Sequence, residues 1–191
     1  MKYERKFTVN GKSVEDFCDG SVKQNLVFKD EETGKEYRSF YDMARTLTEL
    51  NAVSTESTGT TTYHRTAPWS RFFFTDGIAE FVETHNAYWL LDVIESYIAE
   101  VCNILPRAKP NGEYEFYENE NGVDNFLVVS LVKLSDNSAV FSIEYEDGKG
   151  DYDENLYNKT VAFQYIPFTD IDVDHVEWFI ESGVVLFPME H

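Results

Sequence analysis

Cysteine is scarce in this chain of 191 residues: Cys18 and Cys102 stand alone, far apart and in no metal-binding or redox spacing. Buried free thiols of a reducing compartment are expected, ahead of a disulfide between the two. No stretch approaches the ~18 uncharged apolar residues of a membrane span. The first residues, Met1 to Lys6, lead into no apolar run, so no secretory signal is read and a cytoplasmic location is expected. Four histidines, His64, His85, His175 and His191, form no HxH or HExxH pair. No GxGxxG or Walker-type glycine loop occurs, which removes nucleotide binding by a standard motif. Neither a cofactor nor a metal site is expected.

Positive charge is the other shortage, and it is local. Residues 1–50 carry nine Lys/Arg against ten Asp/Glu, whereas residues 111–191 carry three against eighteen. From Thr160 to His191 there is no Lys or Arg at all. Most of the formal charge of −19 therefore sits in the second half. Such a field repels nucleic acid and anionic membranes and attracts basic surfaces over about 8 Å at physiological salt.

What the chain has in quantity is apolar and aromatic surface, 42% and 16% of residues, enough for a sizeable core. Lys6–Asn10 alternates before an Asn10-Gly11 turn. Asn25–Lys29 and Lys35–Phe40 flank the turn 30–34 as a hairpin. Phe40–Leu50 has helical spacing. The Ser/Thr-rich segment Val53–Thr62 then separates an N-terminal strand and helix extension, residues 1–52, from a core domain, residues 53–191.

Within the core, Thr75-Asp76-Gly77 opens a helix, with Thr75 as N-cap and Asp76 favoured in the first turn. His85-Asn86 interrupts it. A second helix, Ala87 to about Asn103, offers Tyr88, Leu91, Ile94, Tyr97, Ile98 and Val101 as its apolar face. Phe126–Leu134 and Ser138–Tyr145 form a hairpin, and Thr160–Ile166 is a strand. Asp172–Ser182 reads as a helix, with Val173, Val176, Phe179 and Ile180 inward and Gly183 as its stop. Val184–Phe187 closes the sheet. The expected class is α+β: a mostly antiparallel sheet, a central helical pair and a C-terminal helix–strand unit.

Three stretches carry a likeness: Ser57–Thr60 with Tyr63-His64-Arg65; Phe74-Thr75-Asp76-Gly77 with Ala87–Asp92; and Val184–Pro188. Together they resemble an uncharacterised family of small bacterial, phage and mobile-element proteins, a domain of unknown function, over roughly residues 55–190. The resemblance implies a bacterial or phage context and a small α+β fold, and it supplies no catalytic residues.

Asp170, Asp172, Asp174 and Glu181 imitate a calcium loop, yet His175 stands where that loop needs Gly. An acidic helix N-terminus is the preferred account. The acidic loop 147–154 is read as solvated. Phe72-Phe73-Phe74 and Tyr88-Trp89 are read as core ahead of a stacking platform. His64-Arg65 with Asp76 or Asp92 is the most enzyme-like cluster, a base with an orienting carboxylate. Without a nucleophile or oxyanion motif, structural roles are preferred for it.

Carboxylates interleaved with aromatics, in contrast, match a nucleic-acid mimic that docks into a basic channel. The leading expectation is a non-catalytic, anti-defence type of inhibitor that binds a basic host protein. Its anionic face would be Glu113, Glu115, Glu118, Glu120, Asp147, Asp151, Asp153 and Glu154, anchored by Tyr114, Phe116 and Tyr117. Second comes a small hydrolase-like enzyme centred on His64, Asp76 and Asp92, and third a homo-oligomeric scaffold.

Overall fold

A computed structural model describes residues 6–22, 26–47, 60–70, 72–101, 107–108, 114–115, 126–145, 160–181 and 183–190. In chain order the first elements are β1 Phe7–Val9, β2 Lys12–Ser13, a 3-10 turn Val14–Phe17, β3 Ser21–Val22, β4 Phe28–Asp30, β5 Glu36–Tyr37 and helix α1 Phe40–Leu47. Then come β6 Phe73–Phe74, helices α2 Asp76–Thr84 and α3 Tyr88–Val101, β7 Arg107–Ala108 and β8 Tyr114–Glu115. The last are β9 Leu127–Lys133, β10 Ala139–Tyr145, β11 Thr160–Ile166, β12 His175–Glu181, β13 Val184–Leu186 and a 3-10 turn Pro188–Glu190. The class is α+β, and every described strand pair is antiparallel except β13 with β6.

The chain divides into two compact units, Met1–Val53 with Leu127–Glu177, and Ser54–Phe126 with Trp178–His191. Residues 1–53 are thus grouped with the long hairpin strands that follow residue 126. In this unit β9, β10, β11 and β3 are hydrogen-bonded neighbours, and β2, β1, β4 and β5 form a smaller sheet. Cross-strand register sets Val132 opposite Val140 and Val140 opposite Tyr165. That row shares one core with Phe7, Val9, Phe28, Phe40 and Met43. The rings of Phe28, Phe40 and Phe163 meet at 5.2–5.8 Å. Turn chemistry follows the residue types, since Asn10, Gly11 and Asn137 all take positive φ.

Helix α1 is held by a carboxylate 104 residues away in sequence. Glu144 of β10 accepts from Phe40 N at 2.8 Å, Tyr41 N at 3.0 Å and Ser39 Oγ at 2.8 Å. Ser39 Oγ in turn accepts from Asp42 N at 3.1 Å, which makes Ser39 the N-cap. Burial drives the Glu144 carboxyl above its ordinary 4.5, the nearby Asp42 charge adds to that, and the three donors pull against it.

In the other unit, Thr75 caps α2 in extended backbone (φ −77°, ψ 168°) and its Oγ1 accepts from Ile78 N at 3.3 Å. Gly77, Ile78, Phe81 and Val82 are buried. The helix ends at Asn86, whose φ of 51° turns the chain into α3. Phe81, Trp178 and Phe187 pack edge to face at 5.4–6.4 Å.

Four expectations need correction. Residues 175–181 form a strand and not a helix: Val176, Trp178 and Ile180 are buried while Glu177, Phe179 and Glu181 are half-buried, a period of two. Gly183, at φ 77°, is therefore the turn between β12 and β13 and no helix stop. Cys18 is exposed, because it follows a 3-10 turn that points Val14 inward; Cys102 lies outside the described residues. Among the described side chains of α3, Leu90, Leu91 and Ile94 are buried, and Tyr88, expected on that face, is exposed.

Glu144 makes a testable contribution to stability. Because its folded pKa is the higher one, this contribution is complete below about pH 4.5 and is lost as pH rises through the folded value. Unfolding by urea across pH 4–9 should therefore give Glu144→Gln a shallower decline with pH than the parent chain. Equal slopes would contradict the assignment. Ser39→Ala should cost about 1 kcal/mol through the lost cap.

Candidate functional site

The sequence segment 60–64 is drawn onto the start of α2 by one carboxylate. His64 forms a two-bond bridge with Phe74, His64 N to Phe74 O at 2.8 Å and Phe74 N to His64 O at 3.0 Å. Two residues further on, Asp76 projects its side chain back to the same segment. Its Oδ1 lies 2.7 Å from His64 Nε2, and its Oδ2 accepts from Thr61 N at 2.9 Å, Thr61 Oγ1 at 3.0 Å and Thr62 N at 3.1 Å. The His64 bond is the largest cause of a strongly lowered Asp76 pKa, with the Thr61 amide next; partial desolvation opposes them. An ionised Asp76 requires the proton on His64 Nε2. In the neutral ring that leaves a lone pair on Nδ1, the tautomer a general base needs. The His64 ring also stacks on Phe74, at 5.6 Å and 26°.

His64, but not Asp76, lines a cavity of about 330 Å³, together with Arg65, Thr66, Phe74, Ala79, Tyr88 and Asp92. The three residues of the enzyme-like cluster are thus brought together: His64 and Asp76 bond directly, and Asp92 lines the same cavity from α3. Asp92 makes no hydrogen bond or ion pair with a described residue. Arg65 is turned aside, its guanidinium 4.2 Å over the Phe73 ring and its Nη1 donating to Pro68 O at 3.3 Å. Phe72 and Phe74 are core, while Tyr88, 48% exposed, walls the cavity. Trp69, 82% exposed, and Tyr63 stand on the segment that carries His64.

Glu190 is a residue that sequence reasoning did not single out. Its Oε2 accepts from Thr75 Oγ1 and from Phe187 N, each at 2.8 Å, and its Oε1 receives Thr60 Oγ1 at 3.4 Å. A Cβ on Gly77 would stand 2.8 Å from Glu190 Oε1 and 3.3 Å from the Phe187 ring. The three residues of Thr75-Asp76-Gly77 thus divide the work: Thr75 caps the helix, Asp76 clamps the 60–64 segment, and Gly77 leaves room for Glu190. The only trace of this in sequence is that a Gly sits inside an otherwise good helix start.

Of the anionic face expected from sequence, only Tyr114 and Glu115 are described, and only as backbone of β8, paired with Ala108 and Arg107 of β7. Glu113, Phe116, Tyr117, Glu118, Glu120, Asp147, Asp151, Asp153 and Glu154 lie outside the described residues, as does His191. Among the described residues no cluster of three or more His, Cys, Asp or Glu is placed to hold a metal. No helix among them is long and apolar enough to cross a membrane. A second cavity, about 370 Å³ in the other unit, is lined by Lys6, Ser13, Glu15, Glu31 and Asp136 among others and contains no histidine.

The chain belongs to a family of unknown function, DUF6876, whose model matches residues 48–191. No curated protein and no solved structure matches the chain.

Two outcomes follow from this geometry. Since the folded pKa of Asp76 is the lower one, its contribution is complete above about pH 3.8 and is lost as pH falls towards the folded value. Asp76→Asn should therefore be less stable than the parent at pH 7, and the gap should narrow at pH 3; a gap that does not depend on pH would refute the ionised clamp. Gly77→Ala gains up to about 1 kcal/mol of helix propensity but displaces Glu190. It should be neutral or destabilising alone and less destabilising in a Glu190→Ala background, where the Phe187 contact remains, a coupling readable by a double-mutant cycle.

Proposed function

We propose that this chain is a small hydrolase-like enzyme in which His64 is the general base and Asp76 its orienting partner. The observation that carries this is the 2.7 Å His64–Asp76 contact at the wall of an open cavity. Three further donors from Thr61 and Thr62 keep Asp76 ionised and fixed, so an imidazolium formed at His64 is stabilised without reorganisation. In the step itself, water adds to an electrophilic carbon in the cavity. The bond from oxygen to carbon forms as one O–H bond breaks, and the proton passes to Nδ1. The same nitrogen returns that proton to the leaving group as the old bond breaks. General-base catalysis of this kind contributes about a hundredfold or more. Hydrolysis of p-nitrophenyl acetate by the purified chain should accordingly fall by about that factor in His64→Ala and also fall in Asp76→Asn. Unchanged rates in both would sink the assignment.

A second reading is supported by charge. With eighteen acids against three bases after residue 110, the chain suits a basic partner, as an occupant of the nucleic-acid channel of a phage-defence or restriction enzyme. Reversal of Glu113, Glu115, Glu118 and Glu120 to Lys should then abolish capture of such a protein from bacterial lysate. Capture should also be lost between about 50 and 500 mM salt. Capture that survives both changes would rule out mimicry.

A further inference from the structure

The groups that line the His64 cavity differ in what they have left to offer a ligand. His64 spends its Nε2–H on Asp76, so the neutral ring presents only an acceptor, Nδ1. Asp92 is exposed, accepts only, and is engaged by no described side chain. Tyr88 lies one turn before Asp92 on α3, so the two share a face, and its ring is half exposed. Arg65, the one cation of the lining, is directed onto Phe73 and the Pro68 carbonyl. What the lining offers a ligand is therefore one carboxylate, the acceptor nitrogen of His64, the ring of Tyr88 and the hydroxyls of Thr66 and Tyr88, and the carboxylate is the one uncommitted charge among them. An anion entering here would meet the Asp92 charge and a bare lone pair.

We infer that the cavity takes an organic cation, a guanidinium or alkylammonium group, bound by Asp92 and laid against Tyr88 beside His64. The inference names the substrate class of the site proposed above and rests on that assignment. A guanidinium supplies five N–H donors and no acceptor, pairs with a carboxylate through two parallel bonds, and stacks on an aromatic ring. The donor to His64 Nδ1 comes from the same planar group or from the attacking water. A chain of formal charge −19 also attracts cations to itself. The cation has two natural sources, a free alkylguanidine or alkylamine and the side chain of Arg or Lys in a polypeptide.

The test is calorimetric titration of the whole chain with N-butylguanidinium and with its neutral isostere N-butylurea. The cation should bind at least about tenfold more tightly, the worth of one charge-assisted bidentate contact. Asp92→Asn should erase that preference, Arg65→Gln should strengthen cation binding, and Glu80→Gln, on α2 outside the cavity lining, should change neither. Equal binding of the two compounds, binding of neither, or a preference that survives Asp92→Asn would overturn the inference. A capped Ala-Arg-Ala peptide that binds more tightly than butylguanidinium would assign the polypeptide source, and the reverse order would assign the free small molecule. Failure here leaves the ester hydrolysis of the parent chain and of His64→Ala untouched, so loss of the cation specificity and loss of the general base are read apart.

Discussion

The Asp76 carboxylate gathers a ring nitrogen, two backbone N–H groups and a hydroxyl, and all four come from Thr61, Thr62 and His64. Residues 60–64 contain no regular secondary structure beyond the single bridge to Phe74, so their conformation depends on those bonds. Asp76 is itself fixed by its place in the first turn of α2, where the macrodipole favours a negative charge. Behind it, Glu190 ties Thr75, Thr60 and the Phe187 amide together. A cap, a clamp and a C-terminal brace converge on one helix N-terminus, and the outcome is a histidine of defined tautomer at a cavity wall.

The other unit solves a similar problem with opposite electrostatics. Glu144 also satisfies the start of a helix, but from a neighbouring strand and in complete burial. Asp76 keeps partial access to water and gains from its donors, so its pKa falls; Glu144 loses water altogether, and its donors do not make up the loss. Two carboxylates at helix starts thus diverge because of their surroundings. The half-buried one suits chemistry near neutral pH, and the fully buried one holds α1 to its sheet.

Much of the fold was legible in the residues. Asn10-Gly11 and Asn86 announced turns because Gly and Asn enter the left-handed region readily, and the strands and helices on either side followed. Thr75 was readable as a cap. The 175–181 strand was not, because Val173, Val176 and Ile180 fit a spacing of 3.6 about as well as the alternation of Val176, Trp178 and Ile180 fits a spacing of two. Residue types named His64, Asp76 and Asp92 as one cluster but left their roles open, since nothing in a linear pattern says whether a carboxylate bonds to a loop, an arginine or a histidine. The Glu144 cap and the Glu190 brace join residues more than a hundred positions apart, and no local pattern carries such pairings.

The proposed chemistry depends on where the proton of His64 resides. Long-range ¹H–¹⁵N correlation spectra of the imidazole nitrogens report this without any ligand or substrate. For the neutral ring of the parent chain a slowly exchanging Nε2–H and an unprotonated Nδ1 are expected, with that preference lost in Asp76→Asn. An Nδ1-protonated ring, or rapid averaging of the two tautomers in the parent chain, would show that Asp76 does not set the tautomer and that His64 is not poised as the base.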